Sequence, residues 1–195
     1  AIAQSTVTRS EGIHFFGLDE SKKTVLAVGG SLGARSINEA LATHLDEFAN
    51  NNLQLIWQTG KPTSAEYKNK AIGHSNIWCN DFITQMEMAY AAADIVISRA
   101  GAMAVTELCV CGKASVLVPY PLAAEDHQTA NAKNLVDMQA AILIRDSEAN
   151  EKLVSTVIVL SKNESLQQWL KANIATLAIK NADEVIANEI LKAIA

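Results

Sequence analysis

Thr24-Val25-Leu26-Ala27-Val28-Gly29-Gly30-Ser31-Leu32-Gly33-Ala34-Arg35 decides the fold, because an apolar, β-prone run ends there in glycine and then opens a helix. A strand that ends in this way aims unpaired backbone N–H groups beyond its carboxyl end, where an anion is favoured. Gly30 and Gly33 can adopt backbone angles closed to other residues, and without a Cβ they let a ligand touch the main chain; Ser31 adds a hydroxyl between them. The spacing is neither the dinucleotide fingerprint G-x-G-x-x-G nor a P-loop, which needs Gly-Lys-Ser/Thr. From the turn alone, a phosphate cradle and a tight strand-to-helix connection stand about equal.

Working outward, the next helix is expected over residues 34–49, with Ile37, Leu41, Leu45 and Phe48 on one face and Asn50-Asn51-Asn52 as its stop. Strands follow at 53–59 and 76–79, with a short polar helix over 64–71 between them. A short alanine-rich helix over 86–93 leads into Asp94-Ile95-Val96-Ile97-Ser98, a continuous apolar strand of the kind found inside a parallel sheet. Arg99-Ala100-Gly101-Ala102 repeats the opening logic, a strand breaking at glycine into a helix over 103–110. A strand at 114–118 closed by Pro119-Tyr120-Pro121, a helix through Met138, a strand at 141–144 and three helices near 150–161, 164–177 and 183–194 complete the chain. The residues before Thr24 read as a polar start, a short apolar piece at Ile13-His14-Phe15-Phe16-Gly17-Leu18 and a charged loop at 19–23. Alternating β and α with apolar strands predicts an α/β fold: a Rossmann-like, doubly wound parallel sheet with helices on both faces.

Composition bounds the function. At 195 residues and 49% hydrophobic the chain can bury one proper core. Sixteen Lys+Arg against twenty-one Asp+Glu give a net charge of −5 with no basic stripe, which argues against nucleic acid or an anionic membrane as a direct partner. The longest apolar runs fall far short of a membrane span and no signal peptide is marked, so the reading is cytoplasmic. Cys79, Cys109 and Cys111 lack C-x-x-C spacing and sit among apolar neighbours, as buried free thiols do. His14, His44 and His74 show no ligand spacing. The chain starts with Ala1 rather than Met and reads as entered midway, a piece of a longer protein.

Ligands of open parallel sheets bind outside the carboxyl ends of the strands, so the residues after each strand form one set. These are Gly30-Ser31-Leu32-Gly33, then Phe82-Ile83 with Met86, then Arg99 to Ala102 with Glu107, then Glu125-Asp126-His127-Gln128. Together they supply the parts a nucleotide sugar needs. Glu107 lies about a turn and a half into its helix and can face the crevice rim, where a carboxylate accepts both hydroxyls of a ribose cis-diol; a solvated helix carboxylate is the plainer alternative. Phe82-Ile83 is first a core pair, although one residue's N–H and C=O can pair with a uracil edge. Asp126 is placed to cap the following helix, and Gln128 carries an amide suited to sugar hydroxyls.

Gly-Gly-Ser-Leu-Gly-Ala-Arg, Asp-Phe-Ile, Ser-Arg-Ala-Gly-Ala-Met-Ala-Val-Thr-Glu and His-Gln-Thr-Ala-Asn-Ala, in this order from Thr24 to Ile144, resemble the carboxyl-terminal, donor-binding domain of the MurG family, glycosyltransferase family 28. The tail Asp183-Glu184-Val185-Ile186-Ala187-Asn188-Glu189 fits as well. The resemblance implies one half of a GT-B enzyme, a hexosyltransferase that moves N-acetylglucosamine from UDP-GlcNAc onto lipid I to give lipid II in peptidoglycan synthesis. It implies residues 1–23 as a lead-in, 24–180 as the UDP-sugar domain, and 181–195 as a helix crossing back to an N-terminal domain. Gly30, Ser31, Leu32 and Gly33 would hold the donor phosphates, Phe82 and Ile83 would meet uracil through the Ile83 main chain, and Glu107 would bind ribose. Met86, Gly101, Ala102, His127 and Gln128 would line the sugar, His127 standing where some members carry glutamine. The base and the lipid-linked acceptor site would belong to the N-terminal domain, so the chain alone is expected to be inactive. Peripheral contact with the inner face of the bacterial membrane would also come only through that domain. No family arginine is matched in residues 1–10. No cofactor is implied, no Asp-x-Asp metal clamp is present, and no nucleic acid is expected. Two other readings remain: the donor subunit of a split GlcNAc transferase, and a non-catalytic nucleotide-sugar sensor.

Overall fold

β1, Lys23–Val28, runs through the middle of the sheet, buried from Thr24 to Ala27 and half-buried at its two ends, with a strand on either side. A computed structural model of the chain describes residues 2–194, the side chains of 183 and 194 excepted. Before β1 lies α1, Arg9–Phe15; after it come α2, Arg35–Thr43, and α3, Leu45–Asn50. Then follow β2, Leu53–Gln58; α4, Ser64–Ala71; β3, Ile77–Asn80; α5, Met86–Ala92; and β4, Ile95–Ser98. The second half contains α6, Ala102–Cys111; β5, Ala114–Leu117; α7, His127–Asp137; and β6, Ile142–Leu143. It ends with α8, Ala149–Lys162; α9, Glu164–Ala175; and α10, Ala182–Ile194. The six strands are parallel in the order β3-β2-β1-β4-β5-β6, so the expected doubly wound sheet is observed.

Period-2 alternation sends neighbouring residues of each strand to opposite faces. Val25 and Ala27 of β1 and Ile95 and Ile97 of β4 enter one core with Ile37, Leu41, Phe48 and Leu153. Leu26 and Val96 enter the other with Ile13, Tyr90, Leu108 and Leu135. Helices therefore cover both faces, and the strand ends are left for a site.

Two local expectations are corrected. The helix expected over 34–49 breaks at His44, whose φ of −128° ends α2 before α3 begins. Its apolar stripe survives, because Ile37, Leu41, Leu45 and Phe48 all reach the same core. The apolar piece expected over 13–18 is divided: Ile13 to Phe15 form the last part of α1 and Phe16 is its C-cap, the helix being started by a capping box in which Thr8 and Glu11 satisfy each other's backbone N–H. Ile13 and Phe16 are buried by it, so the lead-in is packed onto the domain. Arg9, in the segment searched for the family arginine, donates to Asp94 at 3.2 Å, beside Thr24 at the strands' amino ends and away from the carboxyl-end crevice. No helix among the described residues is long and apolar enough to cross a membrane.

Candidate functional site

The strand order reverses direction between β1 and β4, and a cleft of about 1110 Å³ opens at the carboxyl ends there. Its first wall is the glycine turn. Gly30 has φ +86°, and a Cβ built on it would meet no atom within 4 Å, so its main chain faces open space. Gly33, at φ +77°, is glycine for another reason: its Cβ would fall 2.1 Å from the Thr59 carbonyl oxygen. The turn closes through Gly33 N–H donating to Gly30 O at 3.1 Å. Gln58, buried at the end of β2, donates its Nε2 to Gly30 O at 3.1 Å and accepts the Ile83 N–H at 2.9 Å. One side chain thus ties the glycine turn to the loop after β3.

α2 begins beside this turn with Ala34 as its N-cap and no capping side chain, so amides of the first turn are open to a ligand. Ala34, Arg35 and Ser36 all line the cleft, as does Leu32, which is 78% exposed. Ser31 is exposed beside the turn, with its carbonyl accepting from Lys61 N–H at 3.3 Å, and its side chain is not part of the cleft lining.

The floor is an ion-paired cluster. Arg99, after β4, pairs with Asp146, after β6, and donates to Val118 O at 2.9 Å and Pro119 O at 3.2 Å. Ser36 donates to Asp146 Oδ1 at 2.5 Å and accepts from Arg99 Nη2 at 3.2 Å, and the guanidinium lies 5.4 Å from the centre of the Tyr120 ring. Arg99 is engaged by protein groups on several sides, so it joins strand ends rather than presenting a free cation.

Across the cleft, Gly101 caps α6 and Glu107 lines the wall. The Tyr90 hydroxyl, from α5, donates to Glu107 Oε2 at 2.9 Å. Burial, reinforced by the Glu107 charge, pushes the Tyr90 phenol well above its ordinary range, so it remains a donor. Gln128 reaches the lining from α7 and accepts through Oε1 from Tyr120 N–H at 3.0 Å and Ala100 N–H at 3.3 Å, leaving Nε2 close to Gly101.

Of the residues expected to bind, Gly30, Leu32, Gly33, Gly101, Glu107 and Gln128 share this cleft. Ser31, Phe82, Ile83, Met86, Ala102 and His127 are not in its lining. Ile83 is 2% exposed and packs in the core, with its N–H already held by Gln58, while Phe82 is 43% exposed. Met86 starts α5 against the core; Ala102 is exposed at the first position of α6. His127, exposed at the start of α7, places Nδ1 2.7 Å from the Ala124 carbonyl oxygen. Asp126 occupies the N-cap position of α7 but makes no side-chain cap: it accepts instead from the Thr129 hydroxyl at 2.6 Å. Its φ of +51°, shared with Glu125, turns the chain sharply and places the two acidic residues outside the usual cap geometry.

Gln58, Tyr90 and Asp146 escaped the sequence reading. Asp146 lies just beyond a strand, where the strand-end rule applies, and Gln58 is a polar end to an apolar strand; Tyr90, inside an apolar helix face, carries no such signal. All three cysteines are free thiols as expected, but only Cys109 is buried; Cys79 and Cys111 are half-buried, and desolvation still pushes their thiols up to about 11.

The profile of the glycosyltransferase family 28 C-terminal domain matches residues 24–189. A UDP-N-acetylglucosamine--N-acetylmuramyl-(pentapeptide) pyrophosphoryl-undecaprenol N-acetylglucosamine transferase of Parabacteroides distasonis is 47% identical over 188 residues, 95% of this chain and 51% of that protein. A relative of the same description from Flavobacterium psychrophilum is 44% identical over 94% of this chain and 50% of its own length. The crystal structure of Acinetobacter baumannii MurG superposes with a TM-score of 0.80 at 32% identity, over 98% of this chain and 55% of that one. The chain spans about half the length of the curated relatives it matches.

Proposed function

Because the chain belongs to the glycosyltransferase family 28 C-terminal domains, we propose that it is the donor-binding half of an inverting transferase that moves N-acetylglucosamine from UDP-GlcNAc to lipid I, forming lipid II. One observation carries this reading: an open-faced glycine turn, an uncapped helix start and a tethered carboxylate converge on one cleft at the switch point of the sheet. The turn and the first amides of α2 suit a diphosphate, Glu107 suits a ribose diol, and Gly101 and Gln128 suit the sugar. Ser31, Ala102 and His127 are exposed and adjacent in sequence to the lining residues Leu32, Gly101 and Gln128, and in this reading a bound donor reaches them. The Ile83 N–H is engaged by Gln58, so uracil recognition falls to the Ile83 carbonyl or to a donor that displaces Gln58.

In the proposed reaction the acceptor hydroxyl attacks the anomeric carbon, the bond from that carbon to the diphosphate oxygen breaks, and UDP leaves with the electron pair. This chain's part is to stabilise that departing charge. A helix N-terminus contributes about 0.3–1 kcal/mol toward a nearby anion. Fixed amides in a closed cleft add to this because they need not reorient as charge develops. The attacking hydroxyl's proton goes to a base in the other half of the enzyme, which also holds the lipid-linked acceptor and the peripheral membrane contact.

Residues 181–195 are assigned to the junction with that half. Val185, Ile186, Ile190 and Leu191 of α10 are exposed, an apolar face suited to burial against another domain. Calorimetric titration with UDP-GlcNAc tests the donor assignment: binding is expected, with GDP- and ADP-sugars bound more weakly. A folded chain that binds none of them, or all three alike, refutes it.

A further inference from the structure

Tyr90 is 4% exposed, yet its hydroxyl is not directed into the core. Its ring stands between two spaces. On one side lies the cleft; on the other lies a hollow of about 310 Å³ lined in part by Val7, Val110, Cys111 and Lys113. A residue that only filled volume here would need no hydroxyl, and burying one without a partner is unfavourable. The partner it has is the carboxylate facing the cleft, Glu107 Oε2, at 2.9 Å.

Glutamate is a flexible side chain, and ordering it at the moment of binding weakens affinity. A bond from a buried, rigidly packed tyrosine orders it in advance. The tether occupies one lone pair of Oε2 and leaves Oε1 and the other lone pair of Oε2 to accept. Because the tyrosine supplies the proton in that bond, the carboxylate meets its ligand purely as an acceptor and calls for two donors side by side.

We propose that Tyr90 is a positioning residue for the nucleotide ribose, holding Glu107 in the one orientation that accepts the vicinal 2′- and 3′-hydroxyls. This rests on the reading of Glu107 as the ribose ligand. Selectivity for the diol over its deoxy counterparts then depends on a residue that acts through Glu107 rather than by accepting from the ribose itself.

The test compares UDP with 2′,3′-dideoxy-UDP by calorimetry on the wild-type chain and on the Tyr90→Phe variant, which keeps the buried ring. The wild type is expected to prefer UDP. Y90F is expected to bind UDP about fivefold more weakly, the effect of ordering one rotamer-rich side chain on binding, while its affinity for the dideoxy ligand stays within about twofold. General loosening of the fold would weaken both ligands together, so equal losses overturn the proposal, as does a Y90F variant that keeps the full wild-type preference. A wild-type chain without preference, matched by an unchanged Glu107→Gln variant, overturns the ribose assignment of Glu107 itself and the proposal with it.

Discussion

Substituting alanine for Gly30 and for Gly33 separates the two jobs of the glycine turn. Both residues have positive φ, +86° and +77°, so either alanine suffers left-handed strain of about 1–2 kcal/mol. For Gly30 that is the whole structural effect, since its new methyl meets nothing within 4 Å. In a domain of this size the loss corresponds to a fall of about 2–8 °C in melting temperature. At Gly33 the methyl would lie 2.1 Å from the Thr59 carbonyl oxygen, where backbone rather than a flexible side chain must yield. Overpacking of that kind adds about 1–3 kcal/mol to the strain, so Gly33→Ala is expected to lose about 2–5 kcal/mol in urea unfolding. Binding should rank the other way for the folded protein. The Gly30 methyl stands on the open face of the turn and holds a phosphate off the main chain, removing a charged hydrogen bond worth about 1.5–3 kcal/mol, or about 10- to 100-fold in UDP-GlcNAc affinity. Urea unfolding and calorimetry on the two variants measure both quantities. A Gly30→Ala variant that binds UDP-GlcNAc within twofold of wild type refutes the phosphate role of the turn and leaves it a strand-to-helix connection.

Three further outcomes are expected. Asp146→Ala leaves Arg99 without its carboxylate in a mostly buried setting, a loss of about 2–3 kcal/mol in chemical denaturation, less than for a fully buried pair because the side chains retain 13% and 24% exposure; replacing both residues by apolar ones should restore part of it. Gln58→Leu orphans the buried Ile83 N–H and leaves the Gly30 carbonyl with the Gly33 N–H alone, so it should cost about 1–3 kcal/mol and weaken UDP binding, and wild-type stability in this variant would contradict the bridging role. Cys79 and Cys111, pushed up to about 11, should react with iodoacetamide at pH 8 about a hundredfold more slowly than unfolded-chain thiols, as mass spectrometry with and without urea would show.

Buried parallel strands announce themselves as unbroken apolar runs, which is why β1 and β4 are legible in the sequence to within a residue at their starts. The break between α2 and α3 was not, for a physical reason: periodicity reports which side faces the core, and that side stays the same across the kink at His44. α1 carries its own start signal in the sequence. Thr8-Arg9-Ser10-Glu11 is a capping-box sequence, whereas the apolar run that begins at Ile13 marks only the later part of the helix.

The site shows a different kind of limit. A polar residue after a strand can either meet the ligand or hold another residue that does, and the two have the same sequence signature. Gln128 was read as a sugar contact because an amide both donates and accepts, yet its acceptor oxygen is engaged by the Ala100 and Tyr120 N–H groups. Only a donor remains for a sugar, so the residue can recognise an oxygen lone pair but not a hydroxyl proton. Ile83 shows the same division in its main chain, where Gln58 holds the donor. Which half of each group faces the cleft follows from an accounting of buried partners drawn from several separate segments. Residues 58, 90 and 146 enter that accounting from β2, α5 and the segment after β6, so the strand-end motifs identify where the donor should lie while these partners decide which atoms are free to meet it.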